Sequence, residues 1–385
     1  MRKNEVCKGR VKDQEQANGS KEAVVVNEPP SSKGRLGKTF VKAVIAVVVV
    51  IGLSLATRSA IQSWQDETAK ISAEILRLDL QIQDAKEPSK LPGMIAKRES
   101  LRGSVPRLSN IQWTRIAIAG LLYGLGLLPS AMVLGGWLEV LGFVPNKSLV
   151  IAAQTLGHVG KYVPGKAMVV VVRAGVLSRA EVPAVPATIS VFLETFMMMA
   201  VGAAVAGVII CFLPVPPWMM VAAILGAIGA SLPTLPPVLR QVTTRLLGRD
   251  SRLSDNAWRA CGVGWLWSIL SWLLIGSSFA MIIASIPSSS LGVFSAVSGT
   301  MLWAVATAAI SLAMVIGFAS LIPGGAGVRE LVLATILGFA IGPTQALLSA
   351  IMARLVFIVV ECLMAAVAWW YVNRRFVADR SAVYA

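Results

Sequence analysis

From residue 111 onward the chain is a succession of long apolar runs separated by short polar breaks. The runs at 115–138, 185–213, 218–232, 261–286, 293–320 and 347–372 hold few charges. They approach or exceed the roughly 20 residues that cross a hydrocarbon core, so each predicts a transmembrane α-helix. Alternating short strands, the mark of a transmembrane barrel, do not occur. An earlier apolar run, 41–56, follows a polar stretch. It predicts a first transmembrane helix that stays in place, because a cleaved leader starts near the N-terminus and does not trail such a tail.

Two stretches have a different pattern. Residues 1–40 carry nine Lys or Arg against five Asp or Glu and contain "NEPPSSKG", which reads as a disordered basic tail. Lys33, Arg35, Lys38 and Lys42 flank the first helix and put that tail in the cytoplasm. Between 57 and 110, Ile71, Ile75, Leu78 and Ile82 recur at heptad spacing with charges between them, and "EPSKLPG" breaks the pattern before a second charged segment. This predicts an extracytoplasmic helical hairpin able to associate with itself or a partner, or an amphipathic pair lying on the bilayer.

The expected organisation is a tail (1–40), a first transmembrane helix (41–56), the charged hairpin (57–110), a membrane domain (111–373) and a short basic C-terminal tail (374–385). The fold class is all-α: a polytopic transmembrane helical bundle of about seven or eight membrane-embedded helices. The loop 239–259 holds five arginines against two aspartates, and four crossings from a cytoplasmic N-terminus return the chain to the cytoplasm there. The tail "NRRFVADR" prefers the same side, which asks for an even number of crossings and for 326–341 to cross as well.

Composition agrees. The chain is 56% hydrophobic and 14% charged, against about 25% charged in soluble domains. Its net charge of +15 sits in tails and loops rather than in a basic patch with interleaved aromatics, so it sets topology and does not point to nucleic acid. Cys7, Cys211, Cys261 and Cys362 have no metal or disulfide spacing, and His158 is the single histidine. No metal or other cofactor is expected.

Two breaks share a form. "YVPGKAMVVVVR" (162–173) and "LIPGGAGVRELVLATIL" (321–337) each carry an aliphatic residue, Pro, Gly, one variable residue and Ala, then resume an apolar helix with an arginine nearby. Proline removes a backbone donor and glycine permits turns that other residues resist. Non-helical backbone at membrane depth is tolerated where it lines a polar cavity or is buried in protein. A matching pair in two halves predicts re-entrant segments in an inverted repeat with a binding site between them. The helix that starts after each break would aim its free amides at an anionic group.

Charges inside apolar runs cost about 2.5–3.5 kcal/mol each at mid-bilayer and so mark partners or water-filled paths. Arg173, Glu194, Arg329, Glu330, Arg354 and Glu361 are such charges. Glu194, within "SVFLETFMMM", stands out most. Glu361 is expected to pair with Arg354 on its own helix, Lys161 and Lys166 are expected to snorkel to the interface as readily as to bind, and His158 is expected to be incidental.

At these residues the chain resembles the transmembrane region of lysylphosphatidylglycerol synthases, the flippase-like family. The resemblance rests on "GKYVPGKAMVVVVR", "ISVFLETF" and "LIPGGAGVRELVL", in that order, and covers roughly 111–372. It implies an integral inner-membrane protein that moves or binds an anionic, aminoacylated or glycosylated lipid head group. It also implies lipid-binding residues Lys161, Tyr162, Pro164, Gly165 and Arg173, then Glu194, then Pro323, Gly324, Gly325, Gly327, Arg329 and Glu330, with Arg354 in the last span. The soluble aminoacyl-transfer domain of the synthases has no counterpart here, so an enzymatic role is not expected. The alternatives are a membrane-embedded transferase or accessory protein for lipid-linked sugars, and a scaffold acting through 57–110.

Overall fold

The computed structural model describes residues 68–84, 91–104, 110–162, 167–213, 216–247, 256–287, 298–320, 325 and 327–383, with a few single positions before 68. The tail 1–40, the helix expected at 41–56, Pro164, Gly165, Lys166, Pro323 and Gly324 lie outside the described residues. The described secondary structure is helical throughout.

Helices α1 (68–83) and α2 (Leu91–Ser104) come first. Ile71, Ile75 and Leu78, three of the four heptad positions, pack with Leu101 of α2. Lys97–Glu74 at 3.2 Å and Arg98–Asp79 at 3.1 Å flank that contact. The apolar repeat therefore serves to join these two helices to each other.

The membrane domain follows as α3 (Trp113–Val140), α4 (Lys147–Gly160), α5 (Ala167–Leu177), α6 (Ala184–Cys211), α7 (Pro217–Ser231), α8 (Pro236–Leu247), α9 (Ala257–Ser285), α10 (Gly299–Ala319), α11 (Val328–Ile341) and α12 (Pro343–Val383). Local signals set several starts. The Asn146 side chain accepts from the Ser148 amide to begin α4, Ser298 does the same for Met301 in α10, and prolines open α7 and α12. Six described helices are long and apolar enough to cross a membrane: Trp113–Val140, Ala184–Cys211, Pro217–Thr234, Ala257–Ser285, Gly299–Ala319 and Gln345–Arg374. These are the six runs expected after residue 111, and the protein is a multi-pass helical membrane protein. Outward side chains such as Leu121, Leu225, Leu266 and Val367 are exposed, as lipid contact requires. Trp369 and Trp370 are exposed near the end of the last span, and Arg374 lies 4.2 Å from the Trp370 ring, a pairing suited to the bilayer interface. The expected tail at 374 is instead a continuation of α12 to Val383.

Helices α4 and α5 are a different kind of element. At 1.5 Å per residue, α4 is about 21 Å long, shorter than the roughly 30 Å of hydrocarbon. The chain runs up α4, begins a turn at 161–162, and α5 packs back against α4. It repeats the move from α10 into α11.

The packing has an internal two-fold pattern. α3 lies along α9. α4 packs on α12 and α10 packs on α6; α4 packs on α5 and α10 on α11; α5 packs on α6 and α11 on α12. The contacts α3–α4, α3–α6 and α6–α9 have their counterparts in α9–α10, α9–α12 and α12–α3. Exchanging α3–α6 with α9–α12 leaves the pattern unchanged. α7 and α8 stand outside it, with α7 seated on α6 where a Cβ at Gly207 would come 2.8 Å from the Ala223 carbonyl.

The central pair is antiparallel and held by small polar residues. Ser278 Oγ donates to the Ala119 carbonyl at 2.7 Å, Ser271 Oγ donates to the Gly126 carbonyl, and the Gln112 amide donates to the Ser285 carbonyl at 3.0 Å. Small residues let helix backbones approach where no hydrophobic force drives association in lipid. The same close fit recurs at Gly202, where a Cβ would stand 2.6 Å from the Trp272 ring. That ring cannot retreat, because its indole N–H donates to the Met198 carbonyl at 2.8 Å. Gly202→Ala is therefore expected to cost about 1–3 kcal/mol, as overpacking does. A lowered unfolding midpoint in detergent would show it, and an unchanged midpoint would contradict this packing.

Candidate functional site

Buried charge is distributed over both halves of the repeat. In the first, Arg173 of α5 and Glu194 of α6 are both buried and pair at 2.6 Å. Glu194 also accepts from Gln154 Nε2 of α4 at 2.8 Å, and Gln154 in turn reaches Ser130 Oγ of α3 at 2.8 Å. The Arg173 side chain fits because Gly157 faces it; a Cβ there would lie 2.3 Å from Nε.

The second half repeats the device with the signs exchanged. Glu330 of α11 pairs with Arg354 of α12. Its other carboxylate oxygen accepts from the Gly327 amide at 2.7 Å, closing the first turn of α11. Gly325 and Gly327 have φ of +63° and +82°, a region that glycine enters without strain. Arg329 stretches over Gly317 and Gly325, where a Cβ would come 2.6 Å from its Cγ and 2.8 Å from its Nε. In each half, then, a glycine on the preceding helix makes room for an arginine on the short one.

The third carboxylate links the halves. Glu361 of α12 is fully buried and accepts from Tyr123 of α3, from Lys161 after α4, and from Tyr162 at 2.8 Å. Two expectations are corrected here. Glu361 does not pair with Arg354, which is committed to Glu330. Lys161 does not snorkel: its side chain is 20% exposed and turned inward to Glu361. The physical reason is the same for both, since α4 packs against α12 and brings a cation to Glu361 that Arg354 would otherwise supply.

A narrow, partly open cleft lies between the two halves. Tyr123, Lys161 and Tyr162 of the first half line it, with Arg329, Glu330 and Arg354 of the second. Ile310, Met314, Leu333, Ala350, Ala353 and Phe357 complete an apolar wall. Phe357 stacks on Tyr123 with ring centroids 3.7 Å apart. Of the residues expected at the site, Lys161, Tyr162, Arg329, Glu330 and Arg354 come together. Gly325 and Gly327 set the backbone beside them. Arg173 and Glu194 do not line the cavity; they are sealed between α4, α5 and α6. His158 is outside its lining too.

Sequence reasoning missed Tyr123, Gln154, Phe357 and the part played by Glu361. One signal was present. The chain has four tyrosines, two of which are Tyr123 and Tyr162, and a phenol within an apolar run needs a hydrogen-bond partner.

The charges do not balance. Among the described residues, Glu194 is held by Arg173, Glu330 by Arg354 and Glu361 by Lys161. Arg329 has no carboxylate, and its Nε is buried without a hydrogen-bond partner. The cavity thus presents one surplus cation beside the start of α11, whose free amides favour negative charge. It suits an anion. No protein-family model matches this chain, and no curated protein matches it.

Proposed function

We propose that the protein is a flippase-like lipid translocase that holds an anionic lipid head group, aminoacylated and glycosylated ones included, in the cavity between its two halves. The observation that carries this reading is Arg329, an arginine with no carboxylate partner among the described residues, in the wall of a cleft inside a membrane domain. An intramembrane charge of this kind is costly to keep and marks a ligand path. Tyr123 and Phe357 with the apolar wall provide for the part of the lipid next to the phosphate, while the acyl chains stay in the bilayer.

The two-fold pattern supports movement rather than binding alone. A two-fold axis relating antiparallel α3 and α9 lies across these helices, which is the inverted arrangement that alternating-access transporters use. On this reading α5 and α11 belong to re-entrant segments, and 41–56 adds a further crossing. The N-terminus is then cytoplasmic and the protein resides in the cell (inner) membrane.

The test is leaflet exchange in proteoliposomes. A reporter-labelled phosphatidylglycerol is expected to exchange faster with the protein than without it, and faster than labelled phosphatidylcholine. Equal rates for protein-containing and empty vesicles with every anionic lipid tried would overturn the reading.

A further inference from the structure

The three intramembrane ion pairs differ in what would follow if their carboxylate took up a proton. Glu194 is sealed away from the cavity by Arg173 and Gln154. Glu330 holds Arg354 with one oxygen and the amide of Gly327, the residue that caps α11, with the other, so neutralising it would loosen the helix start. Glu361 is bound otherwise. Two of its partners, Tyr123 and Tyr162, are neutral hydroxyls, which can still hydrogen-bond a neutral carboxyl group as donor or acceptor, though more weakly than a carboxylate. Its one cation, Lys161, is a compact charge on a flexible stem, and that stem already lines the cavity that Arg329 lines.

We infer that Lys161 is an exchangeable cation: when Glu361 takes up a proton, Lys161 turns from Glu361 to the anion at Arg329, so that anion and proton bind together. This rests on the reading of Arg329 as an anion site. With Glu361 ionised, the cavity has one surplus cation; with Glu361 neutral, it has two. The ligand chemistry is a phosphate or phosphodiester anion. The contact also spans the repeat, since Lys161 and Tyr162 end the α4 segment and Glu361 belongs to α12. Protonation therefore releases the Lys161 contact between the α4 segment and α12 as the anion arrives, while Tyr162 stays at Glu361.

Among the described residues, no other ionisable group competes for this role at Glu361. α3 supplies Tyr123, the α4 segment supplies Lys161 and Tyr162, with His158 near Lys161, and α11 supplies Arg329 and Glu330. α12 itself adds Arg354. α9 also packs on α12, but its ionisable side chains are the exposed Arg259 and Cys261, whose thiol donates to the Thr234 carbonyl.

The experiment is anion binding by the full-length protein in nanodiscs, followed as a function of pH. One arm titrates phosphatidylglycerol in phosphatidylcholine discs, read by native mass spectrometry; the other titrates inorganic phosphate onto pure phosphatidylcholine discs. Wild-type affinity is expected to rise as pH falls, by up to about tenfold per unit for one coupled proton. Glu361→Gln is expected to bind at the acid wild-type level at every pH, and Lys161→Gln to lose the gain at low pH. The double variant, which strands no charge and so guards against misfolding, is expected to bind like neutral-pH wild type without pH dependence. Flat wild-type binding, or an undiminished pH slope in Glu361→Gln, overturns the exchange and leaves the Arg329 site standing. Absence of wild-type binding in both arms at every pH overturns the anion site itself. Binding confined to the phosphate arm upholds the exchange but overturns the lipid assignment.

Discussion

Arg329→Ala is expected to weaken specific head-group binding by about ten- to a hundredfold and to leave the bundle at least as stable as before. The two halves of that expectation have one cause. Arg329 has no carboxylate among the described residues, so its removal strands no charge. An unpaired arginine at membrane depth costs about 2.5–3.5 kcal/mol on insertion scales, and the variant is relieved of it. The ligand loses a charge-assisted hydrogen bond, about 1.5–3 kcal/mol, which is roughly ten- to a hundredfold in affinity. Arg329→Lys keeps the charge without the fork and is expected to fall between. Thermal unfolding in detergent and lipid binding by native mass spectrometry, run on the same samples, check both halves. Wild-type binding by Arg329→Ala would remove the main support for an anion site.

The opposite signature is expected at Arg173 and Glu194. Replacing either with alanine leaves the other charge buried, since both are almost fully enclosed, and breaking such a pair costs about 3–5 kcal/mol. Glu194→Ala also leaves Gln154 without its acceptor. Replacing both with apolar residues of similar size, as in Arg173→Met with Glu194→Leu, is expected to restore most of the stability. Because this pair is outside the cavity lining, the protein that folds is expected to keep its affinity. Unfolding midpoints of the two single variants and the double variant measure the coupling. Full stability of both single variants would mean that the pair is not formed in the bilayer.

These two arginines look alike in the sequence: each lies in the apolar run that follows a Pro-Gly element. Their roles separate only in three dimensions, where α6 brings a carboxylate to Arg173 and no carboxylate of a described residue reaches Arg329. Glu361 is a similar case. Arg354 is two helical turns away on the same helix, which is what local spacing offers as a partner. The partner it has, Lys161, is 200 residues distant.

The hydrophobic pattern by itself determined the helical membrane class, the six apolar spans, the heptad contact within the first helix pair and the breaks that shorten α4 and α5. Each of these follows from the length and periodicity of contiguous segments, properties carried by neighbours in the chain. The partner of each buried charge, the cavity and the surplus at Arg329 were decided only by tertiary structure. They depend on which helices meet, α4 with α12 and α11 with α12, and that is fixed by side-chain fit between residues remote in sequence, the glycine seats of Arg173 and Arg329 among them.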